Sequence, residues 1–327
     1  MRIFLTGGTG FIGGEVARLL RWRGDGVRAL ARRPAAATRL GALGCELVQG
    51  DLSDENALRE ACEGTDAVIH CAAAYAVGVP PSERERLVDV NVRGTERVLG
   101  AALAAGVRRA VYVSSVAVFG NTGGRVADET WVRPAGLVAT SVYEQTKVQA
   151  HERAVQIARR GVELVIVAPG LVYGPGDRSE TGLLLGRFLA GRLPLLPFGG
   201  LGVTPVHRDD VAAGIVLALD KGASGASYVL AGEPTTLAGL VAGLGRAAGR
   251  RPPRIGLPTV LLKAVAPLGP VVGPLLGFPA NLRELIASSD GVTFWASSDR
   301  AHRELGWTSR PLADGLADLV SATAAGR

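Results

Sequence analysis

The first thirteen residues of the chain, MRIFLTGGTGFIG, constrain the fold more than any other segment. A short apolar run over Arg2–Thr6 is typical of a buried strand, and glycines follow it at positions 7, 8, 10 and 13. An amphipathic stretch over Gly13–Trp22 then indicates a helix. A secretory signal needs an unbroken apolar core, which these glycines interrupt, so we do not expect a targeting segment here. The segment predicts a strand, a tight turn and a helix.

Short apolar runs and amphipathic stretches alternate over the first half of the chain. The predicted strands are 2–6, 27–31, 46–49, 67–70, 110–114 and 163–168, and the predicted helices are 13–22, 35–43, 53–62 with Ser53 as its N-cap, 85–105 and 143–160. This alternation is typical of right-handed βαβ crossovers, which place helices on both faces of a parallel sheet. The sequence therefore predicts a doubly wound α/β fold.

The regular alternation ends at Pro169, after which glycine and proline become dense. Weaker patterns predict a helix over 210–219, a strand over 227–231, and helical structure over 298–322 that is interrupted near Gly306 and Trp307. We expect residues 1–169 and about 203–232 to form the sheet domain. We expect residues about 170–202 and 233–327 to form a smaller, mostly helical cap over the carboxyl edge of the sheet.

The composition excludes several classes of protein. Of the 327 residues, 47% are apolar and 20% are charged, which is ordinary for a globular protein and argues against global disorder. The net charge of +6 comes with scattered arginines and no basic tail, so we expect no nucleic-acid partner. The cysteines and histidines lack metal-ligand spacing, so we expect reduced thiols, a cytoplasmic location and no metal site.

One uncharged stretch of 19 residues, 264–282, raises the question of a membrane. Prolines at 267, 270, 274 and 279 would interrupt a spanning helix, because each removes a backbone donor. We therefore do not expect a membrane span, whereas peripheral membrane contact stays open. The alternative is an apolar lid over a pocket, or a packing surface.

The glycine spacing fits both GxxGxxG and GxGxxG, in the strand-to-helix context that dinucleotide-binding loops require. Glycines permit the tight turn and let the backbone approach a pyrophosphate, while the helix N-terminus supplies N–H groups and partial positive charge. No Gly-Lys-Ser/Thr follows, which excludes a Walker loop. We therefore predict a Rossmann-type dinucleotide site, with a glycine-rich turn that binds no ligand as the alternative.

The end of the second predicted strand distinguishes NADP from NAD. An acidic residue there would accept hydrogen bonds from the ribose hydroxyls of NAD, but the strand runs into Arg32 and Arg33. Two guanidinium groups suit a 2′-phosphate, which favours NADP(H) over NAD(H). The alternative is that one or both arginines point into solvent. After the third strand, Asp51 and Leu52 are placed to meet the adenine, with the Asp51 carboxylate accepting from its amino group.

Residues 143–147 read YEQTK. On a helix, Tyr143 and Lys147 share one face about one turn apart. A tyrosine has an unperturbed pKa of about 10, and a neighbouring ammonium together with the charge of an oxidised nicotinamide would favour its phenolate. The pair follows the predicted strand that runs into Ser114 and Ser115. This position indicates a proton-transfer site at the edge of the sheet.

Five segments together resemble the extended short-chain dehydrogenase/reductase family, from residue 1 to about residue 232. They are TGGTGFIG (6–13), Asp51-Leu52, SSVAVFG (114–120), YEQTK (143–147) and APGLVYGPGD (168–177), with a looser similarity in RELGW (303–307). The resemblance implies that Ser115 hydrogen-bonds the substrate oxygen and that Tyr143 is the general acid/base. It also implies that Lys147 holds the nicotinamide ribose and lowers the pKa of Tyr143.

The same resemblance implies the remaining contacts. Pro169 and Gly170 match the turn beside the nicotinamide, and Asn91 matches a helix asparagine near the active site, with helix capping or packing as its alternative role. The expected cofactor-binding residues are Thr6, Gly7, Gly8, Thr9, Gly10, Phe11, Ile12, Gly13, Arg32, Arg33, Asp51, Leu52, Ala72, Ala73, Asn91, Ser114, Tyr143, Lys147, Pro169, Gly170 and Val172. The expected substrate contacts are Tyr75, Ser115, Val116 and Tyr173.

Two branches of this family compete for the assignment. One comprises sugar-nucleotide epimerases and dehydratases that use bound NAD; the other comprises carbonyl reductases and hydroxysteroid-type dehydrogenases, including those resembling dihydroflavonol reductase. Val203 stands where the epimerases typically carry an arginine, and Val116 and Ala117 follow Ser115 where a dehydratase would want an acid. The cap is also apolar. These features favour NADP(H)-dependent interconversion of a carbonyl and an alcohol on a fairly hydrophobic small molecule.

Three further expectations complete the sequence-based hypothesis. We expect His207, at the end of a strand, to anchor the chain rather than to act as a base. A non-catalytic NADP-binding regulator would need Ser115, Tyr143 or Lys147 to be lost or displaced, and all three are present. By analogy with the family, we expect a homodimer formed through helices that include the segment around Tyr143.

Overall fold

The structure, a computed structural model, describes residues 1–253, 255–270, 273 and 278–325. Its strands are β1 (Arg2–Thr6), β2 (Gly26–Ala31), β3 (Glu46–Gln49), β4 (Ala67–His70), β5 (Arg109–Val113), β6 (Glu163–Pro169), β7 (Leu171–Tyr173), β8 (Leu196–Pro197), β9 (Gly202–Val203), β10 (Pro205–His207), β11 (Ser227–Leu230), β12 (Thr235–Thr236) and β13 (Gly256–Leu257). Its α-helices are α1 (Gly13–Trp22), α2 (Thr38–Ala42), α3 (Glu55–Cys62), α4 (Pro81–Val88), α5 (Gly94–Ala104), α6 (Val142–Ala158), α7 (Glu180–Leu189), α8 (Arg208–Lys221), α9 (Leu237–Ala247), α10 (Thr259–Val265), α11 (Leu282–Ala287) and α12 (Leu312–Ala325).

Seven strands form one parallel sheet in the order β11-β6-β5-β4-β1-β2-β3. The chain moves outward from β1 to β2 and β3, and then returns to β4 on the other side of β1. This reversal opens a crevice between β1 and β4 at the carboxyl ends of the strands, where ligands bind in sheets of this type. The predicted doubly wound α/β fold is confirmed.

Helices cover both faces of the sheet. Ile3 and Leu5 of β1 pack on one side with α1 and α8, whereas Phe4 packs on the other side with α3, α5 and α6. Successive residues of a strand point to opposite faces, so a strand buried on both faces must be apolar throughout. This explains why the central strands are continuous apolar runs in the sequence and show no alternation with polar residues.

The cap is held together by a separate apolar core. Leu185 of α7, Leu240 of α9 and Leu316 of α12 belong to this core, although they are far apart in the sequence. A smaller cluster joins Leu262 of α10 to Leu285 of α11. In residues 264–282, the uncharged stretch of the sequence, residues 264 and 265 end α10, residues 266–268 form a 3₁₀ turn and residue 282 begins α11, while residues 271, 272 and 274–277 lie outside the described part of the chain.

Three of the predicted local features differ in the structure. The N-cap of α3 is Asp54 rather than Ser53: the Asp54 carboxylate accepts from the amide of Ala57 at 3.0 Å, while the Ser53 hydroxyl donates to Asp51. The predicted helix 85–105 begins earlier, at Pro81, and a π-helical turn over Asp89–Arg93 separates α4 from α5. The helix expected over 35–43 is a 3₁₀ turn (Pro34–Ala36) followed by the short α2.

The chain returns from the cap to the sheet before α12. A π-helical turn, Ala301–Leu305, ends at Gly306, whose φ of +68° lies in the left-handed region that glycine adopts readily. This turn places the Trp307 ring in the core on the α8 side of the sheet, where its Nε1 donates to the carbonyl of Asp210 at 2.7 Å. The predicted interruption near Gly306 and Trp307 is therefore present.

Replacing Trp307 by alanine tests how much the packing of its ring against the sheet domain contributes to the stability of the protein. The side chain is buried, so we expect Trp307→Ala to lower the free energy of unfolding by about 3–5 kcal/mol through the cavity it creates. Trp22, which is 84% exposed, provides the control, and Trp22→Ala should change the free energy by less than about 0.5 kcal/mol. Urea unfolding followed by circular dichroism measures both, and equal effects would contradict the expectation.

Candidate active site

A cavity of about 1610 Å³ lies at the carboxyl ends of the central strands. Residues that follow β1, β2, β3, β4, β5 and β6 form one part of its wall, and the cap forms the rest. Sites for drug-sized ligands typically measure about 300–1,000 Å³. The cavity therefore has room for a dinucleotide together with a second molecule.

The glycine loop between β1 and α1 allows a close approach of backbone. Gly7 has a φ of +75°, and a Cβ there would lie 2.6 Å from the amide nitrogen of Ala72. The amide of Gly10 donates to the carbonyl of Gly7 at 2.8 Å and closes the turn. The loop residues that line the cavity are Gly7, Thr9, Gly10, Phe11, Ile12 and Gly13, whereas Thr6 and Gly8 lie behind it. Such a loop fits the pyrophosphate of a dinucleotide.

Arg32 and Arg33, which the sequence treats as a pair, have different positions. Both side chains are exposed, but Arg32 lines the cavity and Arg33 does not. Arg39 of α2 also lines the cavity, and its guanidinium lies 3.4 Å from the carboxylate of Glu15. Two guanidinium groups in this part of the wall could hold a phosphate group.

Asp51 and Leu52 line the cavity at the end of β3. The Asp51 carboxylate accepts from the hydroxyl of Ser53 at 2.6 Å and from its amide at 2.8 Å. These hydrogen bonds, with a smaller contribution from Arg32, hold the pKa of Asp51 below its usual range. Asp51 is therefore ionised at neutral pH and presents an acceptor to the cavity.

Asn91 holds the loop after β4, which brings Ala72, Ala73 and Tyr75 into the cavity wall. Its side-chain amide donates to the carbonyl of Ala74 at 2.9 Å and accepts from the amide of Ala74 at 2.7 Å. Asn91 is buried and does not line the cavity. The structure thus places Asn91 behind the loop, where it supports the backbone, in line with the packing role given as its alternative.

The buried side chain of His70 contacts Thr6, the residue that leads into the glycine loop. The Thr6 hydroxyl lies 2.7 Å from Nδ1 of His70, and Nε2 of His70 lies 3.1 Å from the hydroxyl of Thr95. Burial, with a smaller effect of the nearby Lys147, lowers the pKa of His70 to about 3. His70 is therefore neutral and serves to connect β1, β4 and α5.

The first turn of α6 is fixed by groups from the sheet domain and from the cap. The Ser141 hydroxyl accepts from the amide of Glu144 at 3.1 Å. From α11 of the cap, the Glu284 carboxylate accepts from the amide of Val142 at 2.9 Å. Tyr143 follows directly in the sequence, so its position depends on both halves of the protein.

The structure brings the three predicted catalytic residues together on the cavity wall. Tyr143 and Lys147 reach it from α6, and Ser115 reaches it from the end of β5, near the Tyr143 phenol. Lys147 is only 2% exposed, and its ammonium donates to the carbonyl of Val113 at 2.9 Å. Its Nζ also lies 5.2 Å from the centroid of the Tyr112 ring, a distance at which the ring face attracts a cation.

Burial controls the protonation of Tyr143 and Lys147. It raises the pKa of Tyr143, and the nearby Ser115 hydroxyl only partly offsets this effect. It lowers the pKa of Lys147 to about 8. The lowered tyrosine pKa expected from the sequence is therefore not found in the chain by itself. A neutral phenol beside a mostly protonated ammonium at pH 7 is arranged to donate a proton.

The residues predicted to meet the substrate divide into two groups. Tyr75 and Val116 line the cavity, and the Tyr75 ring lies edge-on to the Tyr143 ring, with centroids 4.8 Å apart. Tyr173 is buried off the cavity, with its ring centroid 5.6 Å from that of His207. The residues Ser114, Pro169, Gly170 and Val172, predicted to bind the cofactor, all line the cavity.

His207 is buried beside the cavity and does not line it. Its Nδ1 accepts from the amide of Asp209 at 3.3 Å, and its Nε2 lies 3.2 Å from the carboxylate of Asp318 in α12. Burial is the main reason that its pKa is lowered. The ring thus lies between β10 and the last helix of the cap.

The cap supplies a mostly apolar wall. Its apolar lining residues are Leu183, Leu184, Leu193, Leu195, Phe198, Leu201, Leu237, Leu257, Phe278 and Leu285. The arginines Arg178, Arg187 and Arg192 also line it, as do Asp177 and Glu180. Burial raises the pKa of both carboxyl groups. This end of the cavity suits a ligand that is largely apolar.

Sequence reasoning missed several cationic residues of the cavity wall, among them Arg39 and Arg208. Arg39 is an isolated arginine on a short helix, and no motif marks it. Arg208 donates to the carbonyl of Pro175 at 2.6 Å and lies 5.3 Å from the centroid of the Phe11 ring in the glycine loop. Its place directly after His207, at the start of α8, is the signal that could have drawn attention to it.

Comparison with known proteins extends over the whole chain. The NAD dependent epimerase/dehydratase family matches residues 3–231. Sterol demethylase protein B of Methylococcus capsulatus is 32% identical over 329 residues, which cover 98% of each protein. The 2-alkyl-3-oxoalkanoate reductase of Stenotrophomonas maltophilia is 32% identical over 342 residues, which cover 99% of this chain and 100% of the relative.

Solved structures share the same architecture. The crystal structure of gox2253 has a TM-score of 0.83 and 33% identity, covering 99% of this chain and 98% of its own. The structure of MoeE5 in complex with UDP-glucuronic acid and NAD has a TM-score of 0.78 and 26% identity, covering 100% of both chains. The similarity therefore includes the cap as well as the sheet.

Replacing Lys147 by methionine tests the cost of burying its charge. Burial lowers the pKa of Lys147 from 10.5 to about 8, so the unfolded chain binds more protons between these pH values and stability rises with pH across them. We expect Lys147→Met to stabilise the protein most below pH 8. This advantage should shrink by on the order of 3 kcal/mol as the pH rises to about 10.5.

Urea unfolding of both proteins at pH 7 and at the upper end of this range measures the difference. Lys263→Met, a change at an exposed lysine, is the matched control. The difference between its free energy of unfolding and that of the wild type should not change comparably with pH. A Lys147→Met advantage that stays constant with pH would contradict the expectation.

Proposed function

Because the chain belongs to the NAD-dependent epimerase/dehydratase family, within the extended short-chain dehydrogenases/reductases, we propose that it interconverts a carbonyl and an alcohol with NADP(H) on a fairly hydrophobic small molecule. Like its reductase and dehydrogenase relatives, it is an NAD(P)-dependent oxidoreductase. The observation that carries the finer proposal is the placement of Ser115, Tyr143 and Lys147 in the cavity that the glycine loop also lines.

The residues of the cavity fit a nicotinamide dinucleotide. Gly7 and Gly10 would hold the pyrophosphate with their backbone, since both line the cavity and the absence of a side chain at Gly7 lets the loop pack against the backbone at Ala72. Arg32 would hold a 2′-phosphate, Asp51 the adenine, and Lys147 the nicotinamide ribose. When bound, the cofactor supplies or accepts the hydride. In this proposal the sheet domain, residues 1–169 and about 203–232, binds the cofactor.

The side chains at the centre of the cavity polarise the substrate and transfer the proton. In the reductive direction, Ser115 and Tyr143 donate hydrogen bonds to the carbonyl oxygen of the substrate and polarise it. As negative charge develops on that oxygen, Tyr143 transfers its proton to it, and the Lys147 ammonium stabilises the phenolate that remains. In the oxidative direction the phenolate takes the proton back. The raised pKa of Tyr143 favours the protonated phenol that reduction needs.

The cap, residues about 170–202 and 233–327, would select the substrate. Its wall is largely apolar, and Val203 lines the cavity at the position where sugar-nucleotide epimerases typically carry an arginine. The relatives named for a sterol and for a 2-alkyl-3-oxoalkanoate also act on largely apolar molecules. These observations support a hydrophobic ketone or aldehyde.

A second candidate function is a sugar-nucleotide epimerase that uses bound NAD. Arg187 and Arg192 favour it, because they line the cap end of the cavity and could meet a diphosphate. A screen that follows NADPH oxidation with hydrophobic ketones and aldehydes, and sugar conversion with UDP-sugars, distinguishes the two. Turnover of a ketone or aldehyde supports the reductase, whereas epimerisation without net NADPH consumption would replace it.

Replacing Tyr143 by phenylalanine removes the proposed proton donor and leaves the ring in place. We expect Tyr143→Phe to reduce kcat for carbonyl reduction by at least about 100-fold, because general acid catalysis is lost. The Kd for NADPH, measured by fluorescence, should change only a few-fold. Tyr173→Phe is the matched control: its hydroxyl lies off the cavity, so its kcat should stay near that of the wild type. Full activity in Tyr143→Phe would disprove its assignment.

Arg32 and Arg33 allow a test of cofactor choice within one dipeptide. Arg32→Ala should raise the KM for NADPH by about 10–100-fold, since hydrogen bonds to charged groups contribute about 1.5–3 kcal/mol, and should leave the KM for NADH nearly unchanged. Arg33→Ala, which removes a charge outside the cavity wall, should have a much smaller effect. Equal use of NADH and NADPH by the wild type would contradict the NADP(H) preference.

A further inference from the structure

The net positive charge of the chain comes from one segment of the cap. Residues 234–283 contain no aspartate or glutamate, and their six basic residues are Arg246, Arg250, Arg251, Arg254, Lys263 and Arg283. The whole chain has 36 lysines and arginines against 30 aspartates and glutamates, so this segment carries the entire formal excess of six charges. A surface of one sign attracts partners of the opposite sign.

The same segment exposes large apolar side chains. Ile255, Val260, Leu261 and Leu268 are 65%, 74%, 58% and 61% exposed. Leu262 anchors α10 in the small core that α10 shares with α11, which leaves Val260 and Leu261 in solvent. Single exposed apolar residues are ordinary, but four within 14 residues form an apolar patch of the kind that marks an interaction site.

A groove of about 460 Å³ lies beside this patch. Its charged lining residues are Lys263, Arg283 and Asp290, and its apolar ones are Ala266, Pro267, Ile286 and Ala287. The Lys263 ammonium donates to the Asp290 carboxylate at 2.9 Å, which leaves two cations against one anion. An anionic headgroup with an apolar neighbour fits this combination of groups.

The patch is connected to the active-site cavity through its neighbours. Leu257, in β13 just before α10, lines that cavity, and so does Leu285 of α11. β13 pairs with β8, which follows the partly exposed Leu195, another lining residue. The exposed apolar surface therefore adjoins the apolar end of the cavity.

We propose that residues 255–268 and the groove beside them dock on the surface of an anionic lipid bilayer. Val260, Leu261 and Leu268 enter the headgroup region, while Lys263 and Arg283 meet lipid phosphates. Among the described residues, no helix is long and apolar enough to cross a membrane, so the contact is peripheral. Charge complementarity selects a lipid surface over a second copy of the chain, since two copies would bring like charges together.

Co-sedimentation with vesicles tests the proposal on the full chain. We expect the protein to bind vesicles that contain phosphatidylglycerol, to bind phosphatidylcholine vesicles at least 10-fold more weakly, and to be released by salt. At equal ionic strength, inorganic phosphate should displace it no more than sodium chloride does. Release by phosphate beyond that by sodium chloride would show an isolated anion site, and failure to bind anionic vesicles would also overturn the proposal.

Two variants identify the surface. Val260→Ser with Leu261→Ser, and separately Arg283→Gln, should each weaken vesicle binding by 10-fold or more, with an unchanged circular dichroism spectrum. Val132→Ser, at an apolar residue 84% exposed outside this segment, is the matched control and should bind like the wild type. Unchanged binding of both variants would overturn the assignment. A shift of the variants from dimer to monomer without vesicles would instead assign the face to self-association.

Discussion

Burial of both faces of the sheet is the constraint on which the rest of the structure depends. Helices cover the two faces, so a ligand can meet the sheet only at the ends of its strands. The return of the chain from β3 to β4 leaves β1 beside the crevice that this reversal creates. The turn after β1 must then pass within contact distance of the turn after β4. Gly7 satisfies this requirement, because a Cβ there would collide with the backbone at Ala72.

The same burial sets the chemistry of the site. Removing Tyr143 and Lys147 from water disfavours the charged form of each, which raises the pKa of the phenol and lowers that of the ammonium. The Val113 carbonyl and the Tyr112 ring compensate the ammonium in part. A resting state with a neutral phenol suits donation of a proton to a substrate. The Lys147 ammonium alone does not bring the pKa of the Tyr143 phenol below its usual value, and the sequence-based hypothesis adds the charge of an oxidised nicotinamide to that of the ammonium.

Features that depend on local periodicity could be predicted from the sequence. Features that depend on which of several similar residues reaches a given partner could not. The buried strands and the glycine turn follow from apolar runs and spacing, so the sheet and the dinucleotide loop could be predicted. Ser53 and Asp54 can both cap a helix, and the outcome depends on Asp51, which engages the Ser53 hydroxyl. Arg32 and Arg33 look alike in sequence, and only the path of the chain places one of them on the cavity wall. The cap joins α7, α9 and α12 over long sequence separations, which no local pattern reveals.

The cap takes part in the active site as well as covering it. In α11, neighbouring residues face opposite ways: Arg283 lines the outer groove, whereas the buried Glu284 accepts from the amide of Val142 at the start of α6. The side chain of Asn281 caps the same helix by accepting from the Glu284 amide at 3.2 Å. The backbone amide of Asn281 donates to the carbonyl of Gly78, in the loop that carries Tyr75, at 3.0 Å. A displacement of α11 would therefore move the backbone next to Tyr143 and the loop opposite it. The helix α11, which has six residues, therefore contributes Arg283 to the proposed lipid-docking face and Glu284 to the contact with α6, the helix that carries Tyr143.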